Sequence, residues 1–153
     1  FVNLLKEYDL QLTFDLAQQE VRVLKPVDDT SSSIIPYVAL ADAIKRLMFY
    51  KAAVDSNKDS VLMFEELEAH AYPTYITKIC QTIIENPSNQ YFITTHSPYV
   101  VTEFLQEKDI DLAIHMVDYR DGKTIVKTLT KEEMDEVYNY GIDLFFNTEA
   151  FLD

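Results

Sequence analysis

Glycine and cysteine are scarce in this chain of 153 residues. Gly122 and Gly141 are its only glycines, and Cys80 is its only cysteine. Two such distant glycines cannot form a phosphate-cradling loop of the GxxxxGK[ST] or GxGxxG type, which limits every nucleotide hypothesis. One cysteine cannot form an internal disulfide, which agrees with a reducing compartment.

Positive charge is also in short supply. The chain has 13 Lys and Arg residues against 26 Asp and Glu residues, which gives a net charge of −13. A surface this acidic repels phosphate backbones, so the composition does not favour nucleic-acid contact through this segment alone. The sequence contains no run of eighteen apolar residues and no signal-peptide pattern, so we expect no membrane span and a cytoplasmic location. Apolar residues make up 48% of the chain, which is typical of a globular domain.

Short apolar runs alternate with amphipathic stretches, and this order predicts an α/β fold: a parallel sheet flanked by helices, with a C-terminal β-hairpin. The apolar runs at 61–64 and 91–95 are interpreted as strands buried on both faces. The predicted elements are, in order, a hairpin or two short strands over 10–24, a polar loop over 28–33, a helix over 36–54, a strand over 61–64, a helix from Pro73, a strand over 91–95, a helix from Pro98 with Ser97 as its cap, a strand over 111–119 with a partner over 123–129, and a helix from Thr130.

Two local signals in the C-terminal part are specific. Asp121-Gly122 lies between two β-rich segments, as expected for a two-residue hairpin turn. Thr130 precedes Glu133 by three residues, which is the spacing of a capping box. These signals predict the hairpin and the start of the helix that follows it.

Polar side chains follow both predicted parallel strands. Glu65 and Glu66 come after the first strand, and the segment Thr94-Thr95-His96-Ser97 ends the second. Because ligands bind at the carboxyl ends of strands in such sheets, we expect these groups to meet at one edge. The alternative for each alone is structural: carboxylates can favour a following helix start, and His96 can be an ordinary residue beside a helix.

An EF-hand-like calcium module is a competing interpretation of the segment 55–66. Oxygen-bearing residues occupy loop positions 1, 3, 5 and 12. However, position 6 holds Ser60 where the sharp turn asks for glycine, and no second loop of this kind follows. Ordinary turn chemistry accounts for the same residues. The four candidate calcium ligands are Asp55, Asn57, Asp59 and Glu66.

Together, Val61–His70, Pro73 and Phe92–Pro98 resemble the C-terminal half of an ABC-type ATPase domain. The group is that of the AAA/OLD-like ATPases, which are related to SMC and RecF proteins, and the resemblance extends from about Ile35 to the end. It implies a partial P-loop NTPase fold, with 1–153 as one C-terminal lobe whose phosphate-binding loop lies outside this chain. It also implies ATP and Mg²⁺ as cofactors, an ATP-dependent homodimer of the full-length protein, and no ATPase activity of this segment alone.

The resemblance assigns roles to matching residues. Glu65 takes the position of the metal-binding carboxylate, Glu66 that of the group that activates water, and His96 that of the histidine that senses the terminal phosphate. Glu68 and Asp42 take nucleotide-facing positions at the subunit interface.

The sequence departs from the family pattern at two places. Ala41-Asp42-Ala43 replaces a Ser-Asp-Gly-like signature, and Leu67 replaces a proline. The first departure keeps a further alternative open, in which the chain is an inactive ATPase-fold domain used for protein interaction.

Overall fold

The computed structural model describes residues 5–6 and 8–152. Contacts divide the chain into two compact units, Phe1–Lys58 and Asp59–Asp153. The single-domain boundary predicted for 1–153 stays a prediction. The first unit contains β1 (Gln11–Asp15), β2 (Glu20–Pro26), β3 (Ser32–Pro36), a 3-10 turn (Tyr37–Ala39) and α1 (Asp42–Asp55). The second contains β4 (Val61–Phe64), α2 (Pro73–Ile84), β5 (Gln90–Ile93), α3 (Pro98–Leu105), β6 (His115–Arg120), β7 (Lys123–Thr128), α4 (Lys131–Tyr140) and α5 (Thr148–Leu152).

The first unit is built on an antiparallel sheet in the order β1-β2-β3. The predicted hairpin is present, with Phe14 opposite Val21, and the Asp15 carboxylate accepts two backbone N–H bonds in its turn. Buried side chains from the sheet and from α1 form one core, to which Tyr8, Ile35, Tyr37 and Ile44 add partly buried surface. Its buried members are Leu5, Leu10, Val23, Leu40 and Met48.

The polar loop of the first unit is shorter than predicted. Asp28 accepts bonds from the backbone and hydroxyl groups of Thr30 and Ser31. These bonds, the Ser31 hydroxyl first, lower the pKa of Asp28 to about 2. The loop then ends because Ser32 and Ser33 already pair with β2.

The helix predicted from residue 36 begins later. A short 3-10 turn, Tyr37–Ala39, comes first, and Leu40 and Ala41 are then extended with ψ near 148° and 138°. Leu40 is buried in the core of the first unit. Only Asp42–Asp55 of the predicted helix is therefore α-helical, because the chain is extended at Leu40 and Ala41.

The second unit contains the predicted parallel pair. β4 pairs with β5 in register, Phe64 opposite Ile93, and α2 forms the connection between them. Pro73 opens α2, where its missing N–H costs no helical hydrogen bond. The prediction of parallel strands joined by helices is confirmed for this pair.

The prediction that both faces of these strands are buried is wrong. Val61, Met63 and Phe92 are 57%, 76% and 51% exposed, whereas Phe64 on the alternate face is buried. Burial therefore alternates along β4, because the described side chains of this unit cover one face only. A continuous apolar run cannot reveal this, since it offers the same side chains to either face.

The predicted third strand belongs to the hairpin instead of the parallel sheet. β6 begins at His115, and among the described residues it pairs only with β7, antiparallel. Asp121 (φ 50°) and Gly122 (φ 77°) form the turn, and positive φ at both central residues is what the Asp-Gly signal predicts. The predicted C-terminal β-hairpin is thus confirmed.

The C-terminal helices complete a core with the hairpin. Thr130 and Glu133 form both bonds of the predicted capping box, and Gly141 ends α4 in the left-handed conformation. The buried side chains of this core are Met116, Leu129, Val137, Leu144 and Phe151. Among the residues described, no helix has the length and apolar character needed to cross a membrane.

Candidate functional site

The two predicted motifs lie at one edge of the parallel pair. Phe64 and Ile93 are register partners, so the chain leaves both strands at the same level. The ladder continues beyond the strands, because Thr94 N–H donates to the Phe64 carbonyl at 2.9 Å and Leu67 N–H to the Thr94 carbonyl at 3.4 Å. The segments that carry Glu65–Glu68 and Thr94–Ser97 are therefore bonded to each other.

The first of these segments has an uncommon backbone. Glu66 has φ 47° and His70 has φ 56°, both in the left-handed region, where residues with a side chain are strained by about 1–3 kcal/mol each. Glu66 N–H donates to the Thr94 hydroxyl at 3.2 Å, and Leu67 is fully buried. Glu65 and Glu66 remain exposed. The hydrogen bond to Thr94 and the buried Leu67 thus fix the loop, while the carboxylates of Glu65 and Glu66 face solvent.

Glu68 joins the two segments through its side chain. One carboxylate oxygen accepts from the Thr95 hydroxyl at 2.7 Å, and the other accepts from the His96 backbone N–H at 2.6 Å. Carboxylate acceptors make shorter and stronger bonds than neutral ones. Glu68 therefore contacts the histidine segment directly, 28 positions further along the chain.

His96 is exposed at the same edge. Its ring lies 6.5 Å from the Phe145 ring, centroid to centroid, with the planes tilted by 52°. The predicted Ser97 cap is only positional: Ser97 is the N-cap residue of α3, but its side chain forms no capping bond. Its N–H instead donates to the Thr95 hydroxyl at 3.0 Å.

Helix α2 carries the buried Cys80. Burial raises the pKa of this thiol to about 12, with further contributions from the negative charges of Glu103 and Glu68. A thiol with such a high pKa is protonated at neutral pH and is a poor nucleophile. Cys80 therefore has the properties of a core residue.

Asp42, the remaining candidate, lies in the first unit. It is the first residue of α1, and its carboxylate is 2.7 Å from the Lys45 ammonium. A carboxylate at this position also stabilises the helix dipole. Its surroundings are those of a residue that stabilises the start of a helix.

The calcium-loop alternative receives no support. Asp55 ends α1 and pairs with Lys51 at 3.1 Å, and the Asn57 amide donates to the Ala53 carbonyl. The segment after the turn is strand β4, where a calcium loop would lead into a helix. Over residues 5–6 and 8–152, no group of three or more His, Cys, Asp or Glu could hold a metal ion.

Magnesium makes smaller demands on the protein. It binds through one or two carboxylates, keeps several waters and takes its other oxygens from substrate phosphates. Glu65 and Glu66 are adjacent, exposed carboxylates of the type that Mg²⁺ prefers. The donor set at the edge therefore fits this ion.

Three contributors to the edge had no role assigned to them from the sequence. Thr94 and Thr95 supply hydroxyl groups that bind Glu66 N–H and the Glu68 carboxylate. Their position beside His96 was the available signal. Phe145 reaches His96 from the C-terminal segment, and no local pattern relates these two distant residues.

Comparison with known proteins gives two kinds of similarity. Residues 33–101 match the AAA ATPase domain family. Among curated proteins, none matches the chain significantly. One solved structure, described as concerning ATP-driven dimerization and DNA-stimulated activation of SMC ATPases, superposes with a TM-score of 0.57 and 16% identity, over 86% of this chain and 79% of that chain.

A second solved structure is an SMC head bound to the C-winged helix domain of ScpA. It superposes with a TM-score of 0.60 and 19% identity, over 83% of this chain but only 39% of that chain. The two superpositions establish the fold and, at 16% and 19% identity, the fold alone. The predicted resemblance to an ABC/AAA-type, SMC-related ATPase domain is therefore confirmed: the chain has the fold of an SMC-type ATPase head, and residues 33–101 carry the match to the AAA ATPase domain family.

Proposed function

We propose that this chain supplies the acidic pair and the switch histidine of an ATP-hydrolysing domain. The observation that carries the proposal is the bonded edge of β4 and β5, which presents Glu65, Glu66 and His96 together. Phosphoryl transfer depends mainly on positioning and on neutralising charge around the transferred group. Two carboxylates and an imidazole at one hydrogen-bonded edge are suited to both tasks.

Each residue of the edge has a role in this proposal. Glu65 would hold Mg²⁺, which when bound neutralises charge on the phosphates. Glu66 would orient the attacking water and accept its proton, since a carboxylate can act as a general base when placed within hydrogen-bond reach. His96 would donate a hydrogen bond to the terminal phosphate. The exposure of all three side chains is compatible with these contacts.

The backbone at Glu66 supports the assignment. A glutamate with φ 47° occupies a conformation that glycine adopts at little cost. Strained residues of this kind cluster at functional sites, where the surrounding structure holds them in place. Here the bond from the Glu66 N–H to the Thr94 hydroxyl and the buried Leu67 hold the loop in this conformation.

The remaining parts of the proposal come from the resemblance. A chain with two glycines would rely on a phosphate-binding loop elsewhere in the full-length protein. That protein would be a cytoplasmic, ATP-dependent homodimer, and the resemblance aligns Asp42 and Glu68 with nucleotide-facing positions of the family. Ala41 and Ala43 weaken the case for a nucleotide contact at the start of α1, because the signature hydroxyl and the permissive glycine are both replaced.

Substitution of the proposed base tests the function directly. In the full-length protein, Glu66→Gln is expected to lower ATP turnover by about 10²–10⁴-fold, the usual contribution of a general base, while ATP binding is retained. Glu107→Gln, an exposed change outside the edge, is the matched control. Single-turnover hydrolysis and equilibrium ATP binding measure the two effects. Unchanged turnover in Glu66→Gln would refute the assignment.

Calorimetry with this chain tests the proposed division of labour. Titration of the 153 residues with Mg-ATP is expected to reveal no binding tighter than about 1 mM. The reason is that this chain lacks the glycine-rich loop whose backbone amides normally cradle the phosphates. A micromolar dissociation constant would contradict the statement that the cradle lies elsewhere.

An inactive interaction domain is the second candidate, and the alanines at 41 and 43 favour it. Such a domain would keep the fold without turnover. In the full-length protein it would hydrolyse no ATP even with Glu66 intact, whereas the proposed ATPase would. The wild-type measurement therefore separates the two candidates.

A further inference from the structure

We propose that Glu68 is a positioning residue that fixes the backbone of the Thr95–His96 segment, and that it is not a nucleotide ligand. The kinetic consequence of this inference rests on the proposed function. The hydrogen bonds of Glu68 are formed without any nucleotide. It changes the role that the resemblance gives to Glu68. The evidence is the geometry of its carboxylate.

Both oxygens of this carboxylate are already engaged. One accepts from the Thr95 hydroxyl at 2.7 Å and the other from the His96 N–H at 2.6 Å. An ionised carboxylate has only acceptor atoms, so each partner must donate. A carboxylate held in this way faces the histidine segment and adds negative charge there, which suits a support and not a phosphate contact.

The Thr95 hydroxyl extends the support to helix α3. Because its single hydrogen is donated to Glu68, its lone pairs are free to accept the Ser97 N–H, which lies 3.0 Å away. Ser97 is the N-cap residue of α3, and its own side chain forms no capping bond. One carboxylate thereby fixes the segment on both sides of His96.

Burial on the near side makes the support rigid. Leu67, which precedes Glu68, is fully buried, and its N–H donates to the Thr94 carbonyl. Glu68 itself is half-buried, whereas Glu65, Glu66 and the His96 side chain are exposed. The proposed reacting side chains are therefore the ones exposed to solvent, and the partly buried Glu68 lies beneath them and supports their backbone.

Hydrogen exchange in the full-length protein tests the contact without relying on ATP. Glu68→Ala is expected to speed exchange of the His96 and Ser97 amides by about tenfold or more, the scale of one lost charge-assisted hydrogen bond. Glu68→Gln should restore most of the protection, because its amide oxygen can accept from His96 while Thr95 accepts from its NH₂ group. Glu107→Ala is the control, and peptides from the β6–β7 hairpin should be unaffected.

A second variant keeps the test decisive if Glu68→Ala does not fold. Thr95→Val removes the hydroxyl while preserving the shape of the side chain. It should expose the Ser97 amide to faster exchange and leave the His96 amide protected by Glu68. Unchanged exchange at both amides in the folded variants would overturn the proposal.

Kinetics separate a positioning role from a ligand role. With Glu68→Ala, kcat for ATP should fall about tenfold or more while KM changes less than about threefold, and Glu68→Gln should recover most of kcat. A raised KM with kcat unchanged would assign Glu68 to the nucleotide and overturn the inference. If the wild-type protein hydrolyses no ATP, the proposed function fails, and the exchange result still decides the contact.

Discussion

In the second unit, the β6–β7 turn and the loop after β4 both place non-glycine residues in the left-handed region, and they do so for different reasons. At the hairpin, Asp121 and Gly122 have residue types that suit the conformation. In the loop after β4, Glu66 and His70 adopt similar φ values without that advantage. A Cβ added at Gly122 would meet nothing within 4 Å, so the hairpin turn is set by its local chemistry.

The loop after β4 is held by its surroundings instead. Leu67 is fully buried, and four hydrogen bonds join the loop to the histidine segment. The N–H groups of Glu66 and Leu67 donate to Thr94, and the Glu68 carboxylate accepts from Thr95 and His96. Where local chemistry matches the backbone, a turn serves the fold. Where it does not match, the remaining structure must impose the conformation, which is common at functional sites.

The largest expected effect is at the buried anchor of the β4 loop. Leu67→Ala should destabilise the protein by about 2–5 kcal/mol, the usual range for a leucine truncated in a core. Urea denaturation followed by circular dichroism measures the change. A loss below 1 kcal/mol would mean that Leu67 does not anchor the loop, and the contrast with the hairpin would disappear.

A substitution in the hairpin turn should reduce stability by a smaller amount. Gly122→Ala is expected to cost about 1 kcal/mol, because a Cβ in the left-handed region is strained even in open space. The midpoint of urea unfolding should fall with an unchanged m-value. An exposed glutamate replaced by alanine, Glu107→Ala, gives the baseline for a neutral surface change.

The loop after β4 should respond in the opposite direction. Glu66→Gly is expected to stabilise the protein by about 0.5–1 kcal/mol, since relief of backbone strain exceeds the extra entropy of glycine in the unfolded chain. Under the proposed function, the same change abolishes turnover. Destabilisation by Glu66→Gly would show that the glutamate side chain stabilises the fold and that the strain is not functional.

The smallest effect is expected at the first hairpin position. Asp121→Asn should alter stability by no more than about 0.3 kcal/mol, because both residues tolerate this turn and Asn-Gly is equally favoured there. The same urea measurement applies. A loss above 1 kcal/mol would indicate that the Asp121 carboxylate has a role beyond the turn.

Elements with local signals could be predicted from the sequence. The Asp-Gly turn, the capping box from Thr130 and the helix from Pro73 all depend on residues within a few positions of each other, and all three are present. The parallel pairing of β4 with β5 followed from the order of elements, because a strand, a helix and a strand usually form one unit.

Features set by distant contacts could not be predicted in this way. The exposure of Val61 and Met63 depends on what covers each face of the sheet, which the strand's own residues do not encode. The contact of Glu68 with His96 joins residues 28 positions apart through a backbone N–H, so no side-chain pattern reveals it. For the same reason, the sequence could suggest that Glu66 and His96 lie close together. It could not reveal that Glu68 supports the backbone at His96.

The uncovered face of β4 and β5 has a consequence for behaviour in concentrated solution. It presents Val61, Met63 and Phe92 on two short strands, and exposed apolar strands are sites of self-association. The net charge of −13 opposes such contacts by mutual repulsion. Because added salt screens that repulsion, colloidal stability of the isolated chain should fall as ionic strength rises, in contrast to proteins whose apolar strands are covered.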